Sequence, residues 1–248
     1  FVGLLILWLI NKIPEKWALY FFSIGLLGAL QAFLGWWMVS SGLDGQVVDV
    51  FSYRLAIHLT MAFIILALIF WAILFHSENA VKIFESRRYR KKFSVNMLVA
   101  LGFLCYVQLA LGALVAGIDA GRGYNDWPLM NGNWIPDDLF DYEPFITNFF
   151  ENPGLVQFNH RIAGYVLFGA VCLVWWNNRN SPYSKISKAS NYLIIIILVQ
   201  MLLGIITVLY SAPLSLASLH QFTAILFILA YINLFFKTYY PVSQEIRS

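Results

Sequence analysis

Three histidines lie inside long apolar segments, where an ionisable side chain is costly enough to be a functional candidate. His160 and His220 each stand seven residues after a proline, and His58 stands six residues after Ser52. At 1.5 Å per residue, each imidazole lies roughly 10 Å below the start of its predicted helix. The spacing therefore predicts one layer of imidazoles at a common depth, able to bind a metal.

Each of these histidines follows a Q-x-x-x-G element on the preceding apolar segment. The pairs are Gln31-Ala32-Phe33-Leu34-Gly35 with His58, Gln108-Leu109-Ala110-Leu111-Gly112 with His160, and Gln200-Met201-Leu202-Leu203-Gly204 with His220. The shared order predicts a helical hairpin repeated three times. The Q-x-x-x-G elements are most simply explained by close helix packing with an interhelical amide bond; a direct role at a cofactor is the lesser alternative.

The residues around the histidines favour haem as the ligand. Arg54 stands four residues before His58 and Arg161 directly follows His160, so that guanidinium groups could meet anionic groups at the membrane surface. An imidazole, an interfacial arginine and small residues that leave room for a planar ligand together describe a haem site with its propionates toward water. Zinc would want carboxylate or thiolate ligands, and neither type lies at that depth. The predicted iron ligands are His58, His160 and His220, and small residues give clearance one helical turn further on, at Ala62, Gly164 and Ala224.

Other candidate groups have simpler structural explanations. His76 is predicted to be a surface residue because it stands beside Ser77 and Glu78 at the basic end of its segment. Cys105 and Cys172 lie inside apolar segments without a CxxC pattern, which favours packing over a disulfide or a thiolate site. Several aromatic residues are predicted to be membrane-interface anchors: Trp36, Trp37, Trp127, Tyr165 and Tyr210.

The composition predicts an all-α, polytopic membrane protein. The 248 residues are 60% hydrophobic and 12% charged, whereas soluble domains carry about 25% charged residues. The apolar runs predict seven helices, at about 1–11, 17–41, 53–76, 93–117, 154–177, 189–210 and 213–236. The first is short and begins within an apolar run, so we interpret it as incomplete and as the return half of a fourth hairpin. A fourth histidine is then expected just upstream of Phe1, giving eight helices and two histidine pairs.

The charge distribution predicts the orientation. All but three of the 16 basic residues, the exceptions being Arg54, Arg122 and Arg161, fall on one face. That face is predicted to be cytoplasmic or, in mitochondria, to face the matrix. The cluster Arg87–Lys92 is explained as this topology signal, and nucleic acid is not an expected partner. The histidine layer and the long loop Asp119–Leu155, a candidate lid, belong to the periplasmic or intermembrane-space face.

Nearly the whole chain resembles the haem A synthase family, in its mitochondrial and proteobacterial branch. The branch is suggested by the lack of the loop cysteine pair found in the other bacterial type. The matching strings are Gly35–Leu43, Tyr53–Leu59, Gly112–Gly121 with Tyr124-Asn125, Trp134–Phe140, Glu151–Pro153, Phe158–Arg161 and Leu219–Gln221.

The resemblance implies two pseudo-symmetric four-helix bundles and the oxidation of a ring methyl of haem O to a formyl group, which gives haem A for cytochrome oxidase. It implies that residues 93–248 hold a haem b cofactor between His160 and His220. Residues 1–92 would form the truncated half that holds substrate haem O, with His58 as one ligand. The family glutamate belongs to the truncated helix, so the catalytic residue is unknown and this chain alone is expected to be inactive.

The residues by themselves leave rival functions open. A di-haem b-type membrane electron-transfer subunit would share the bundle and the histidine layer, and a transporter without chemistry would share the repeat. The expected partners are haem O and its synthase, an unidentified electron donor, the lipid bilayer and, as a possibility, further copies of the chain. The expected location is a bacterial plasma membrane or a mitochondrial inner membrane.

Overall fold

The computed structural model describes residues 2–42 and 49–241, and over these ranges the chain is helical and contains no strand. Leu43, the last residue of the family-like string Gly35–Leu43, and the basic residue Arg247 lie outside these described ranges. In chain order the helices are α1 Val2–Leu9, α2 Glu15–Val39, α3 Ser52–Ser77, α4 Ala80–Ser86, α5 Lys92–Gly117, α6 Asn148–Glu151, α7 Pro153–Asn178, α8 Ser184–Leu209 and α9 Leu214–Tyr239.

In this part of the chain, six helices are long and apolar enough to cross a membrane: α2, α3, α5, α7, α8 and α9. Each has 25 or 26 residues and so spans about 38 Å, more than the roughly 30 Å of a bilayer's hydrocarbon core. The chain is an integral membrane protein of the all-α class, as its composition predicts.

The helix bounds differ from the predicted ones mainly at α8. This helix begins at Ser184, before the predicted residue 189, because it includes Lys185 and Lys188 in its first turns. A lysine can keep its ammonium group in water while its stem lies along a helix, so the charge-free run is shorter than the helix.

The helix starts that place two of the histidines are locally encoded. Asn152 accepts a hydrogen bond from the backbone N–H of Leu155 at 3.0 Å, and Pro153 occupies the first turn of α7. Pro213 precedes α9, after a turn in which Ser211 and Ala212 have φ angles of 60° and 51°. Both starts set the depth of the following histidine, because helical rise is fixed.

Helices α5, α7, α8 and α9 form a closed bundle in which each packs against the next and α9 returns to α5. In this order α7 and α9 stand at opposite corners. Helix α3 packs on both α5 and α9, while α2 packs on α3 and α1 on α2. Because Phe63 of α3 shares one buried core with residues such as Leu98 and Ile228, the division into halves 1–92 and 93–248 stays a prediction.

Candidate functional site

Each of the three histidines lies against the glycine of the Q-x-x-x-G element on the preceding helix. The pairs are Gly35 with His58, Gly112 with His160 and Gly204 with His220. A Cβ atom added at these glycines would lie 2.9, 3.0 and 3.0 Å, respectively, from the imidazole Cε1. Any larger residue would therefore displace the ring, and the glycine is what lets the imidazole fit between the helices.

The glutamine one turn earlier directs its amide group at the same imidazole. Gln31 Nε2 lies 3.3 Å from His58 Nε2, and Gln200 Nε2 lies 3.4 Å from His220 Nε2. The third pair follows: Gln108 Nε2 lies 3.1 Å from Nδ1 and 3.4 Å from Nε2 of His160. We define these three sets of glutamine, glycine and histidine as the imidazole cradles.

The sequence interpretation of the Q-x-x-x-G elements was incomplete. An interhelical amide bond is present, but its partner is the histidine itself. In two cradles the amide also donates to the histidine's backbone carbonyl, at 3.1 Å for both Gln31 and Gln108. The signal that could have revealed this was already in the repeat, because glutamine and histidine recur together in all three hairpins.

Several polar atoms of the cradles are buried without a hydrogen-bond partner among the described residues. They are Oε1 of Gln31, Gln108 and Gln200, and Nδ1 of His58 and His220. A buried polar group without a partner lowers the stability of the fold by about 1–3 kcal/mol. Because such groups recur in three equivalent places, we interpret them as parts of a binding site and not as imperfect packing.

His160 and His220 face the same bundle from the opposite helices α7 and α9, six or seven residues below their starts. His58 belongs to the separate α2–α3 hairpin. Within the described ranges the three histidines do not form one metal-ion cluster, and their predicted role as iron ligands stays a prediction.

Arg54 contacts the end of α2. Its Nη1 donates to the carbonyl of Trp37 at 2.7 Å, and the guanidinium carbon lies 4.5 Å from the centre of the Trp37 ring. A cation near helix carbonyls complements the negative end of the helix dipole. The predicted contact of Arg54 with a propionate stays a prediction.

Arg161 connects the long loop to α7. Its guanidinium donates to the carbonyls of Leu129 and Tyr124, at 2.9 and 3.0 Å, and to Gln157 Oε1 at 3.3 Å. This anchoring role was not foreseen from the sequence, since it depends on which loop carbonyls reach α7. The predicted propionate contact of Arg161 is likewise not tested.

Gly164 faces a cradle instead of open space. A Cβ atom at this position would lie 3.3 Å from Gln108 Nε2, so the missing side chain gives room to the glutamine. That Gly164 also leaves room for a porphyrin stays a prediction.

The sequence was also compared with protein families and with curated proteins. A family model described as cytochrome oxidase assembly protein matches residues 1–232. The chain belongs to this family.

Curated relatives of this cytochrome oxidase assembly protein family are named haem A synthase. The one from Dinoroseobacter shibae is 46% identical over 237 residues, covering 96% of this chain and 62% of the relative. Those from Roseobacter denitrificans and Paracoccus denitrificans are both 42% identical; each match covers 96% of this chain, and 63% and 62% of the relative, respectively. The chain thus spans a little under two thirds of their length.

In this family member the loop between α5 and α7 is an ordered structure across the histidine end of the bundle. Ser52 Oγ, at the start of α3, donates to the carbonyl of Phe150 at 3.2 Å, and Trp127 Nε1 donates to Tyr165 Oη on α7 at 2.9 Å. The buried Asn152 donates to the carbonyl of Asp138 at 2.6 Å. The loop therefore covers the end of the bundle nearest the histidines.

Two ionisable groups of this loop have shifted pKa values. Burial, followed by its hydrogen bond to Asp138, raises the pKa of Tyr124, so the phenol stays protonated and donates. The pKa of Asp126 is lowered, first by the hydrogen bond from the backbone N–H of Gly132 and also by that from Asn131. Both interactions fix the conformation of the loop at neutral pH.

The residues predicted to have structural roles have surroundings that fit those roles. His76 is exposed and its ring centre lies 4.2 Å from that of Trp17. Cys105 is buried in the bundle core, Cys172 is half-buried, and both are free thiols.

Proposed function

We propose that the protein is a haem A synthase that oxidises a ring methyl of haem O to a formyl group and so makes haem A for cytochrome oxidase. The observation that carries the proposal is the imidazole cradle, built three times, with His160 and His220 on opposite helices of one bundle. The names of the curated relatives support the same activity.

The residues of the C-terminal bundle fit a haem b cofactor. His160 and His220 would hold its iron. Nδ1 of His220 and Oε1 of Gln108 and Gln200 are buried without a partner among the described residues, so they can form new hydrogen bonds when the site is occupied. A haem held by two imidazoles would supply electron transfer and not oxygen binding. Arg161 would lie at its water-facing edge.

The substrate haem O would bind at the α2–α3 hairpin, with His58 as a ligand and Arg54 toward its propionates. The part of the chain described here supplies binding and orientation, while the oxidation of an unactivated methyl needs cofactor chemistry. The apolar helices around the site would keep water away from the reacting group, and the loop Asp119–Leu155 would act as its lid.

The setting of the reaction is also a proposal. The excess of basic residues on the opposite loops supports haem sites toward the periplasm or the intermembrane space. The bundle would take haem O from its synthase, take electrons from a donor on the same membrane, and could assemble with further copies of itself.

Pigment analysis of the full-length protein tests the function. We expect haem A and haem O alongside haem b in the extract of the native protein. His160→Ala or His220→Ala should abolish haem b absorbance, whereas His58→Ala should retain haem b and form no haem A. The control is His76→Ala, a histidine at the far end of α3, which should leave all three pigments in place.

The outcomes also separate the rival function. A protein that contains haem b at both sites and forms no haem A is an electron-transfer subunit, and the proposed oxidation is then wrong. Haem b content unaffected by both His160→Ala and His220→Ala would refute the ligand assignment.

A further inference from the structure

We propose that Gln31, Gln108 and Gln200 are positioning residues that fix the orientation of the three iron-binding imidazoles, and that Gln31 and Gln200 also fix the tautomer of His58 and His220. This inference rests on the proposed haem ligation by the same histidines. It concerns residues that the sequence analysis explained by close helix packing with an interhelical amide bond.

The donor and acceptor roles in two cradles define the tautomer. The Nε2 amide nitrogen of glutamine is only a hydrogen-bond donor, so an imidazole nitrogen that faces it must accept the bond. In His58 and His220 that nitrogen is Nε2, which places the proton of the neutral ring on Nδ1. This is the tautomer in which Nε2 carries the lone pair needed for binding iron.

The unpaired atoms complete the argument. A metal-binding histidine almost always donates its other N–H group to an acceptor, which orients the ring. Nδ1 of His58 and of His220 is buried without a partner in the described part of the chain, and so is Oε1 of each facing glutamine. Each of these two cradles therefore contains one unused donor and one unused acceptor. If Nε2 binds iron, it no longer accepts from the glutamine amide, and we expect Oε1 of that amide to turn toward Nδ1–H and accept its hydrogen bond.

The cradles differ in how firmly the glutamine is held. The amides of Gln31 and Gln108 also donate to a backbone carbonyl at 3.1 Å, and Gly164 leaves room for Gln108. For Gln200 the imidazole contact at 3.4 Å is the hydrogen bond that the structure shows. We therefore expect substitution of Gln108 to affect the haem b site more than substitution of Gln200.

The competing explanation is that the glutamines only fill space between helices. Methionine has nearly the volume and flexibility of glutamine but lacks its hydrogen-bonding groups. Glutamine to methionine should be tolerated if packing is the whole role. Glutamine to glutamate keeps the acceptor and removes the donor, so the two substitutions separate shape from hydrogen bonding.

The experiment uses the full-length protein, titrated with haem b after extraction from membranes. Gln108→Met should lower haem affinity about 10- to 100-fold, the usual effect of losing a partner of a metal-binding histidine, and Gln200→Met should lower it less. Both should change the electron paramagnetic resonance g values of the low-spin ferric haem, because these depend on imidazole orientation. Gln221→Met, the same substitution at an exposed position of α9, should match the native protein in every measurement.

Gln200→Glu gives the second, independent test. It should retain haem and shift the midpoint potential to more negative values, because a stronger acceptor for Nδ1–H of His220 makes this imidazole a better donor to ferric iron. The inference is overturned if Gln108→Met and Gln200→Met keep native affinity, g values and potential. It is also overturned if Gln200→Glu loses haem as fully as Gln200→Met. Retention of haem b by His160→Ala would instead refute the proposed function, so the two failures are distinguishable.

Discussion

At the scale of single residues, the site depends on three glycines that have no side chain as much as on the imidazoles that they face. The imidazoles of His58, His160 and His220 occupy the volume that a side chain would take at the facing glycine. Glycine is unfavourable inside a helix by about 1 kcal/mol relative to alanine. The cost recurs at three equivalent positions, each in contact with an imidazole, which indicates that the space serves the histidine.

Gly112→Ala should lower haem b content strongly. The added Cβ would lie 3.0 Å from His160 Cε1, so the ring must move, and such overpacking costs about 1–3 kcal/mol. We expect roughly a tenfold or greater fall in haem affinity, measured by titration in the extracted full-length protein. Gly169→Ala is the matched control on α7, since no described atom lies within 4 Å of its added Cβ. Equal haem affinity in both variants would show that the glycine does not position the imidazole.

At the scale of elements, the long loop is anchored to the helix that carries His160. Arg161 donates to two loop carbonyls, Gln157 Nε2 donates to the carbonyl of Tyr124 at 3.2 Å, and Trp127 bonds Tyr165. A loop that is only a connector needs no such set of side-chain bonds. The arrangement fits a cover over the histidine end of the bundle whose position is coupled to α7.

Arg161→Lys should loosen the loop without removing the positive charge. A single ammonium group cannot reproduce the geometry of a guanidinium that reaches three acceptors. We expect chymotrypsin to cleave more rapidly at exposed aromatic residues of the loop, such as Trp134 and Phe140. Arg122→Lys is the control, because its ion pair with Asp119 at 3.4 Å is exposed and such pairs contribute at most about 1 kcal/mol. Unchanged cleavage in Arg161→Lys would mean that the loop is held in place by other contacts.

At the scale of the whole molecule, the charge distribution predicts the orientation. Helix α5 is long and apolar enough to cross a membrane. The loop before it, which contains Arg87–Lys92, and the loop after it, whose carbonyls accept from Arg161, are therefore expected on opposite sides. The basic loops are expected on the cytoplasmic or matrix side. The histidines are then expected near the opposite surface, where the propionates of a bound haem would meet water.

Cysteine labelling tests this orientation. Trp134→Cys, at a position 73% exposed in the long loop, should react with a membrane-impermeant maleimide in intact spheroplasts. Arg88→Cys, at an exposed position of the basic loop, should react only after permeabilisation. The native Cys105 and Cys172 lie within α5 and α7 and should stay unlabelled in both conditions. The reverse pattern would invert the assignment of faces.

Much of the fold could be predicted because the responsible signals are local. The spanning helices follow from apolar runs, and the starts of α7 and α9 follow from Pro153 and Pro213. The one clear error in helix bounds, at the start of α8, arose because Lys185 and Lys188 interrupt the apolar run without ending the helix. Fixed helical rise then gives the common depth of the histidines.

The sequence by itself determined the membrane class, the repeat and the distance of His58, His160 and His220 from their helix starts, since each depends on the order of residues along one or two helices. Only the tertiary structure decided that glutamine and glycine face the imidazole, that α7 stands opposite α9, and that Arg161 holds the loop. These depend on the rotation of each helix about its own axis and on which neighbours it meets. The short polar contacts that result are set by the packing of the whole bundle, and a pattern along the chain does not contain them.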